Sequence, residues 1–450
     1  MSEEKELTRG EQLRRALVYE RKNGWDRLDA EEGAALEAYC TGYKQFLDAG
    51  KTERECVDRA IAQAEAAGFR AYVRGMELKP GDRIYQVNRD KAIMLAVMGQ
   101  KGLEHGVNIG AAHIDSPRLD LKQNPLYESD ELGFFKTHYY GGIRKYQWVT
   151  IPLELHGVVA LKNGEVVRVS VGNGPDDPMF TIDDLLPHLA TDQVKKPLGE
   201  AIPAESLNIL VGSRPLRDDE GSDRVKLSVL ELLNRKYGIV EEDFLSAELC
   251  AVPAFRAVDI GFDRSLIGAY GHDDRVCAYA SLAALLQLGT PERTAVCMLA
   301  DKEEIGSEGV SGMKSRAFDT FMEDLCQSQS VPLRACYEKS FCLSADVTAA
   351  YDPNFAEVYE KRNSAFVNYG MGLCKYTGAR GKSGASDASA ELVAYIRATL
   401  DNAGVVWQMA ELGKVDAGVP VLSMHAPFET VSKLDCYMTY KGMKAIYEAV

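Results

Sequence analysis

An α/β fold with a mixed, mostly parallel sheet flanked by helices, interrupted by a β-rich segment, is what this sequence predicts. Three observations carry it. Compact apolar runs alternate with longer amphipathic stretches towards both ends of the chain, the pattern of buried strands and covering helices. The middle of the chain alternates apolar and polar residues, as antiparallel strands do. At 450 residues the chain is too long for one simple core, so two domains are expected.

The elements follow in order. Residues 1 to about 75 are helical in pattern. GAALEAYCTGYKQFLDAG and RECVDRAIAQAEAAG carry apolar residues at helical spacing, and each ends at a glycine. DKAIMLAVMG and VNIGAAHID are short apolar runs suited to strands buried on both faces. QWVTIPLELHGVVALKNGEVVRVSVG alternates, and Asn163-Gly164 inside it is a hairpin signal. DDLLPHLATDQ predicts a short helix and PLRDDEGSD a charged loop. Residues 122–258 therefore form an inserted β-rich domain, and residues 1–121 and 259–450 form one discontinuous α/β domain. In the latter, RVCAYASLAALLQLG is a helix, and RTAVCMLAD and SFCLSAD are strands. SDASAELVAYIRATLDNAG is a helix with a Ser/Asp start and a glycine stop. VPVLSMH is a strand, and SKLDCYMTYKGMKAIYEAV is the closing helix.

Composition narrows the function. The net charge of −15 argues against nucleic acid or an anionic membrane as partner, since both need a basic surface. No apolar run approaches the ~20 residues that span a bilayer, and the charged N-terminus lacks the apolar core of a signal peptide. The ten cysteines form no C-x-x-C pair and several sit in apolar runs, so they predict buried thiols in a reducing, cytoplasmic compartment.

In open α/β sheets, ligands sit beyond the carboxyl ends of the strands. Five segments place metal-type ligands there or at a helix start: His113 and Asp115, Asp273 and Asp274, Glu303 and Glu304, Asp346, and His425. Two histidines with several carboxylates suit zinc, cobalt or manganese. In H-x-D the two residues share a strand face, so Asp115 can support His113 and fix its tautomer. Of the adjacent pair Glu303 and Glu304, one can bind metal while the other accepts a proton. Taken singly, each segment has an ordinary structural reading, such as an N-cap or a solvated loop. Their joint placement points to a metal site.

The strings AAHIDSPRLDLK, DKEEIGSEG, SADVTAAYDP and MHAPFETVSK, in this order, resemble the aspartyl aminopeptidase family of dinuclear zinc aminopeptidases, in its bacterial branch. The resemblance covers essentially the whole chain. It implies a zinc-peptidase/phosphorylase-like catalytic domain carrying an inserted β-rich dimerisation domain. It also implies two divalent metal ions per subunit, zinc or alternatively cobalt or manganese. Asp273 would bridge them. His113 and Asp346 would complete one site, Glu304 and His425 the other. Glu303 would be the general base acting on the bridging water, and Asp115 would orient His113. Asp274 would follow Asp273 across a cis peptide. The reaction implied is hydrolysis of the N-terminal residue, acidic by preference, from peptide substrates.

By the same resemblance the inserted domain supplies His188, in LLPHLA, to a neighbouring subunit's active site within a tetrahedral homo-dodecamer. The glycine-rich segment GMGLCKYTGARGKSGASDASAEL is worded differently from the family's eukaryotic members. It is expected to line the pocket for the first side chain. Lys375, Arg380 and Lys382 there either attract an acidic group or stay solvated. Other readings are a broad or apolar preference, a dinuclear carboxypeptidase or deacylase of the same clan, and a catalytically silent peptide-binding assembly protein.

Overall fold

The computed structural model describes residues 7–217, 220–376, 382–383, 386–411 and 417–450. The central sheet has six strands, in the order Arg70–Ala71, Arg83–Asn88, Ala92–Val97, Thr294–Ala300, Val107–His113 and Phe341–Ser344. Thr294–Ala300 runs parallel to Val107–His113, which runs parallel to Phe341–Ser344. The sheet is mixed, because Ala92–Val97 is antiparallel to both of its neighbours.

Period two decides which core each side chain joins. Ile93, Leu95, Val97, Ala295, Cys297 and Leu299 face one core. Helices Ala30–Ala49, Glu53–Ala66, His272–Leu286 and Lys433–Glu448 cover that face. Met94, Ala96, Val296, Met298 and Ala300 face the other core, covered by Ala317–Ser328 and Leu333–Glu338. Both faces are therefore dry, which is why these strands are near-continuous apolar runs.

A second six-stranded sheet is wholly antiparallel. Its order is Val166–Val171, Leu153–Ala160, Ala247–Pro253, Arg118–Ser129, Leu132–Tyr140 and Ile209–Gly212. The predicted hairpin is present: Glu165 donates its amide to the Asn163 side chain, and the flanking strands pair. This sheet has its own apolar core, including Leu119, Phe135, Trp148, Leu155, Val169 and Phe244.

One expected element differs. DDLLPHLATDQ is a run of turns, not a helix. Pro187 has no amide to donate and disfavours helical geometry at Leu186. Asp184 instead accepts from the Leu185 amide and the Gln193 side chain, a local alternative to a helix. Leu185, Leu186 and Leu189 are exposed, so no buried face rewards one.

The central and second sheets are joined at the first turn of helix Glu53–Ala66. Glu53 accepts from Arg118 at 2.9 Å, Arg54 donates to Glu248 at 2.5 Å, and Glu55 pairs with His156 at 2.7 Å. Asp58 accepts from Arg168 one turn later. All ten cysteines are without disulfides, and only Cys342 is exposed. Among the described residues no helix is long and apolar enough to cross a membrane.

Candidate metal centre

Three parallel strands end at one edge of the central sheet, in register. Ala300 lies opposite His113, and Ser344 opposite Ala111. That alignment delivers His113 at a strand end, Glu303 and Glu304 three and four residues after another, and Asp346 two residues after a third. Asp273 comes from the distorted first turn of helix His272–Leu286, and its bond to Asp274 is cis. His425 lies in the loop between strands Pro420–Leu422 and Glu429–Ser432.

These residues fall into two groups able to hold a metal: His113, Asp273 and Asp346, and Asp273, Glu304 and His425. Asp273 belongs to both. Its Oδ1 lies 3.2 Å from His113 Nε2, and its Oδ2 lies 3.1 Å from His425 Nε2. Both imidazoles have their tautomer fixed by main-chain carbonyls, which only accept. His113 Nδ1 donates to the Asp115 carbonyl at 2.9 Å, and His425 Nδ1 donates to the Gly142 carbonyl at 2.9 Å. That leaves each Nε2 lone pair facing the cluster.

A divalent cation fits this arrangement on three grounds. His113 Nε2 and Glu304 Oε1 are buried with no hydrogen-bond partner. Two imidazoles and three carboxylates form the mixed N/O donor set of zinc-type ions. And the carboxyls are crowded. Burial, then the charge of Asp273, pushes Glu304 up to about 8. Burial pushes Asp346 up to about 7, against the pull of His113. Cations relieve such a negative excess.

The family described as aminopeptidase I zinc metalloprotease (M18) matches residues 46–415. A probable M18 family aminopeptidase 1 from Clostridium acetobutylicum is 46% identical, over 95% of this chain and 98% of its own length. The chain belongs to the M18 family. It is accordingly a metal-dependent aminopeptidase, a hydrolase acting on peptide bonds, in agreement with the resemblance carried by its motifs. The crystal structure of an M18 aminopeptidase from Thermotoga maritima superposes with a TM-score of 0.91 at 41% identity, covering 96% of this chain and 100% of that one. The S. cerevisiae mApe1 dodecamer shares the fold, with a TM-score of 0.75 at 20% identity, covering 92% of this chain and 97% of that one.

In this M18 chain Asp115 is fully buried, and its carboxylate reaches further than H-x-D spacing suggests. Oδ1 accepts the Glu303 amide at 3.1 Å and lies 3.3 Å from His113 Nδ1. Oδ2 accepts the Glu304 amide at 3.2 Å and the Tyr140 hydroxyl at 2.8 Å. Asp274 accepts the His113 amide at 3.3 Å. Asp301, just after strand Thr294–Ala300, is buried and accepts from Ser311 Oγ at 2.5 Å, closing the loop that follows Glu304.

Sequence reading missed Glu429 and the segment Tyr140–Gly142. The buried Glu429 carboxylate accepts the His425 amide at 2.7 Å and the Asp273 amide at 3.2 Å. Its signal is an acid four residues after His425, at the start of strand Glu429–Ser432. Gly141 and Gly142 pack against the cluster. A Cβ at Gly141, which has φ +75°, meets Glu304 Oε2 at 3.2 Å, and one at Gly142 meets His425 Nδ1 at 3.3 Å. The adjacent glycines in YYGGIRK are the signal there.

The remaining expected residues lie outside both metal groups. His188 is exposed on a turn of the second sheet's long connection. Lys375 and Lys382 both pair with Asp387, each at 3.0 Å. Arg380 lies outside the described residues.

Proposed function

We propose that this aminopeptidase holds two divalent ions, zinc in the first instance, in the two groups that share Asp273. The sharing itself carries the reading, since one carboxylate turns an oxygen to each group. When bound, such a pair polarises the scissile carbonyl and lowers the pKa of the attacking water. Glu303 belongs to neither group, is partly exposed, and holds Oε2 3.9 Å from His113 Nε2. It takes the proton of the attacking water and passes it to the leaving amine. The carboxylates in excess bind the free α-amino group, which limits cleavage to one N-terminal residue. Glu303→Gln should keep two metal equivalents per chain by elemental analysis and lose about 10²–10⁴ in kcat. One equivalent, or near-normal turnover, overturns the reading. Equal cleavage of an N-acetylated peptide would move the chain to the carboxypeptidase or deacylase class.

Residues 122–258 act as an oligomerisation and substrate-gating domain, and His188 stabilises the oxyanion in a neighbouring subunit. Leu185, Leu186, Leu189, Val194 and Leu198 surround His188 in sequence and are all exposed, which supports a partner surface there. The S. cerevisiae relative is a dodecamer, and the same state, in tetrahedral form, is proposed here. Light scattering checks the mass, and a monomer with full activity would exclude the role of His188. Buried reduced thiols support a cytoplasmic location.

The resemblance implies an acidic first side chain. A second reading has one observation in its favour. A cavity of about 290 Å³ beside His113, Glu303 and Asp346 is lined by Ala111, Ala112, Ala300, Ala345 and Met313, with Ser307 and Ser344 as its other polar walls. Such walls suit an apolar side chain, whereas Lys375 and Lys382 are engaged by Asp387. Asp- and Leu-chromogenic substrates compared by kcat/KM decide between the two.

A further inference from the structure

Glu303 and Glu304 sit on a single short turn that packing alone does not hold. Lys302 and Ile305, on either side of the pair, line a cavity of about 550 Å³ against the second sheet and the start of helix Glu53–Ala66, and Ile305 is exposed. Lys302 and Ser307 have φ of +69° and +62°, so the turn is not a regular helix start. Within the turn, Gly306 and Ser307 donate back to the carbonyls of Glu303 and Lys302, at 2.8 and 2.7 Å. Those bonds fix its shape but not its placement. The amides of Glu303 and Glu304 are anchored to the rest of the protein through the two oxygens of Asp115.

Asp115 is itself held from outside the central sheet. Tyr140, at the end of strand Leu132–Tyr140 of the second sheet, donates its hydroxyl to Oδ2. The ring is buried and pinned. Tyr140 lies directly opposite Arg118 in the antiparallel register, and the guanidinium carbon sits 4.1 Å from the ring centroid. Arg118 is fixed in turn by Glu53 at 2.9 Å and Asp120 at 2.7 Å. A rigid donor thus reaches an oxygen that also receives the Glu304 amide.

We infer that Tyr140 is a positioning residue: acting through Asp115, it lets the second sheet set the place of Glu303 and Glu304. The inference rests on Glu303 as the base. Misplacing a reacting group by about 1 Å costs up to about a hundredfold in rate, so a single hydroxyl that removes slack from this turn has a kinetic signature.

Tyr140→Phe tests it, because the ring and its stacking on Arg118 remain while the hydroxyl goes. In metal-free protein, hydrogen exchange at the Glu303 and Glu304 amides should rise about tenfold, with the amides of Val107–His113 unchanged. In zinc-loaded protein, kcat should fall about tenfold with KM within about twofold and metal content intact. Asp115→Asn, which places an amide donor against these amides, should show a larger rise in exchange at the same two positions. Wild-type exchange at both amides in Tyr140→Phe overturns the inference, whatever happens to kcat. So does exchange that rises equally throughout the central sheet, since the hydroxyl would then only support the fold. Glu303→Gln, measured beside it, separates the two readings. If that variant stays active, the base assignment fails while the exchange result stands. If it is inactive and Tyr140→Phe exchanges normally, the positioning role fails alone.

Discussion

Two buried charge clusters lie on either side of Arg118, and they are built on opposite rules. At the junction of the sheets, each carboxylate has a cationic group against it. Buried Glu53 has Arg118, the fully buried His156 bonds both Glu55 at 2.7 Å and Glu154 at 2.9 Å, and Asp58 with Arg168 forms the exposed rim. At the edge of the central sheet, His113 and His425 face Asp273, Asp346 and Glu304, with Asp115, Asp274 and Glu429 packed behind. A matched buried cluster supports the fold, and removing one member leaves an uncompensated charge. An unmatched one needs its balance from outside the chain, and that requirement is its function.

The contrast can be broken in four places. The largest effect is expected at Glu304. Glu304→Gln removes a ligand, so activity should fall by roughly a hundredfold or more. The metal-free variant should nonetheless melt no lower than metal-free wild type in calorimetry. A lower melting point would show that the edge cluster is balanced within the chain after all. Glu55→Gln should do the reverse. It should cost about 2 kcal/mol in urea unfolding, because buried His156 keeps Glu154 but loses one of its two charge-assisted hydrogen bonds, while kcat stays close to wild type.

The third test is pH. Burial opposes a charge on His156, but hydrogen bonds to Glu154 and Glu55 outweigh it and raise the imidazole to about 9. The folded value lies above the unfolded one, near 6.5. Its contribution, up to ~3 kcal/mol, is therefore fully present below about pH 6.5 and lost as pH rises through about 9. Urea midpoints should fall across that window in wild type and fall less steeply in His156→Gln. The smallest effect is at the rim. Arg168 and Asp58 are both largely exposed, so Arg168→Ala should cost less than about 1 kcal/mol, and 0.5 M salt should weaken the wild-type pair similarly.

Much of the metal cluster was legible in the sequence, for a local reason, and none of the junction cluster was. Ligands at strand ends follow their strands by two to four residues, so apolar runs and the ensuing acids sit within one short string. The helices stopped by Gly50 and Gly404 and the Asn163-Gly164 hairpin were legible in the same way. What escaped depends on register between distant strands. Tyr140 meets Asp115 because Arg118 pairs with Tyr140, and nothing in either string announces that register. Glu429 is close in sequence to His425, but its second client, the Asp273 amide, is 156 residues away. Leu185–Ala190 misled because its leucines are helically spaced, yet Pro187 and the absence of a covering surface within the chain decide against a helix.

The thiols give the molecule a set of clocks. Cys250 is sealed in the second sheet's core, Cys326 and Cys336 under the helices of one face, and Cys40, Cys56, Cys277, Cys297 and Cys436 under those of the other. With no disulfide to break first, the rate at which each reacts with an alkylating reagent reports how often its own layer opens. One labelling time course, read cysteine by cysteine, would show whether the two sheets open together or in turn.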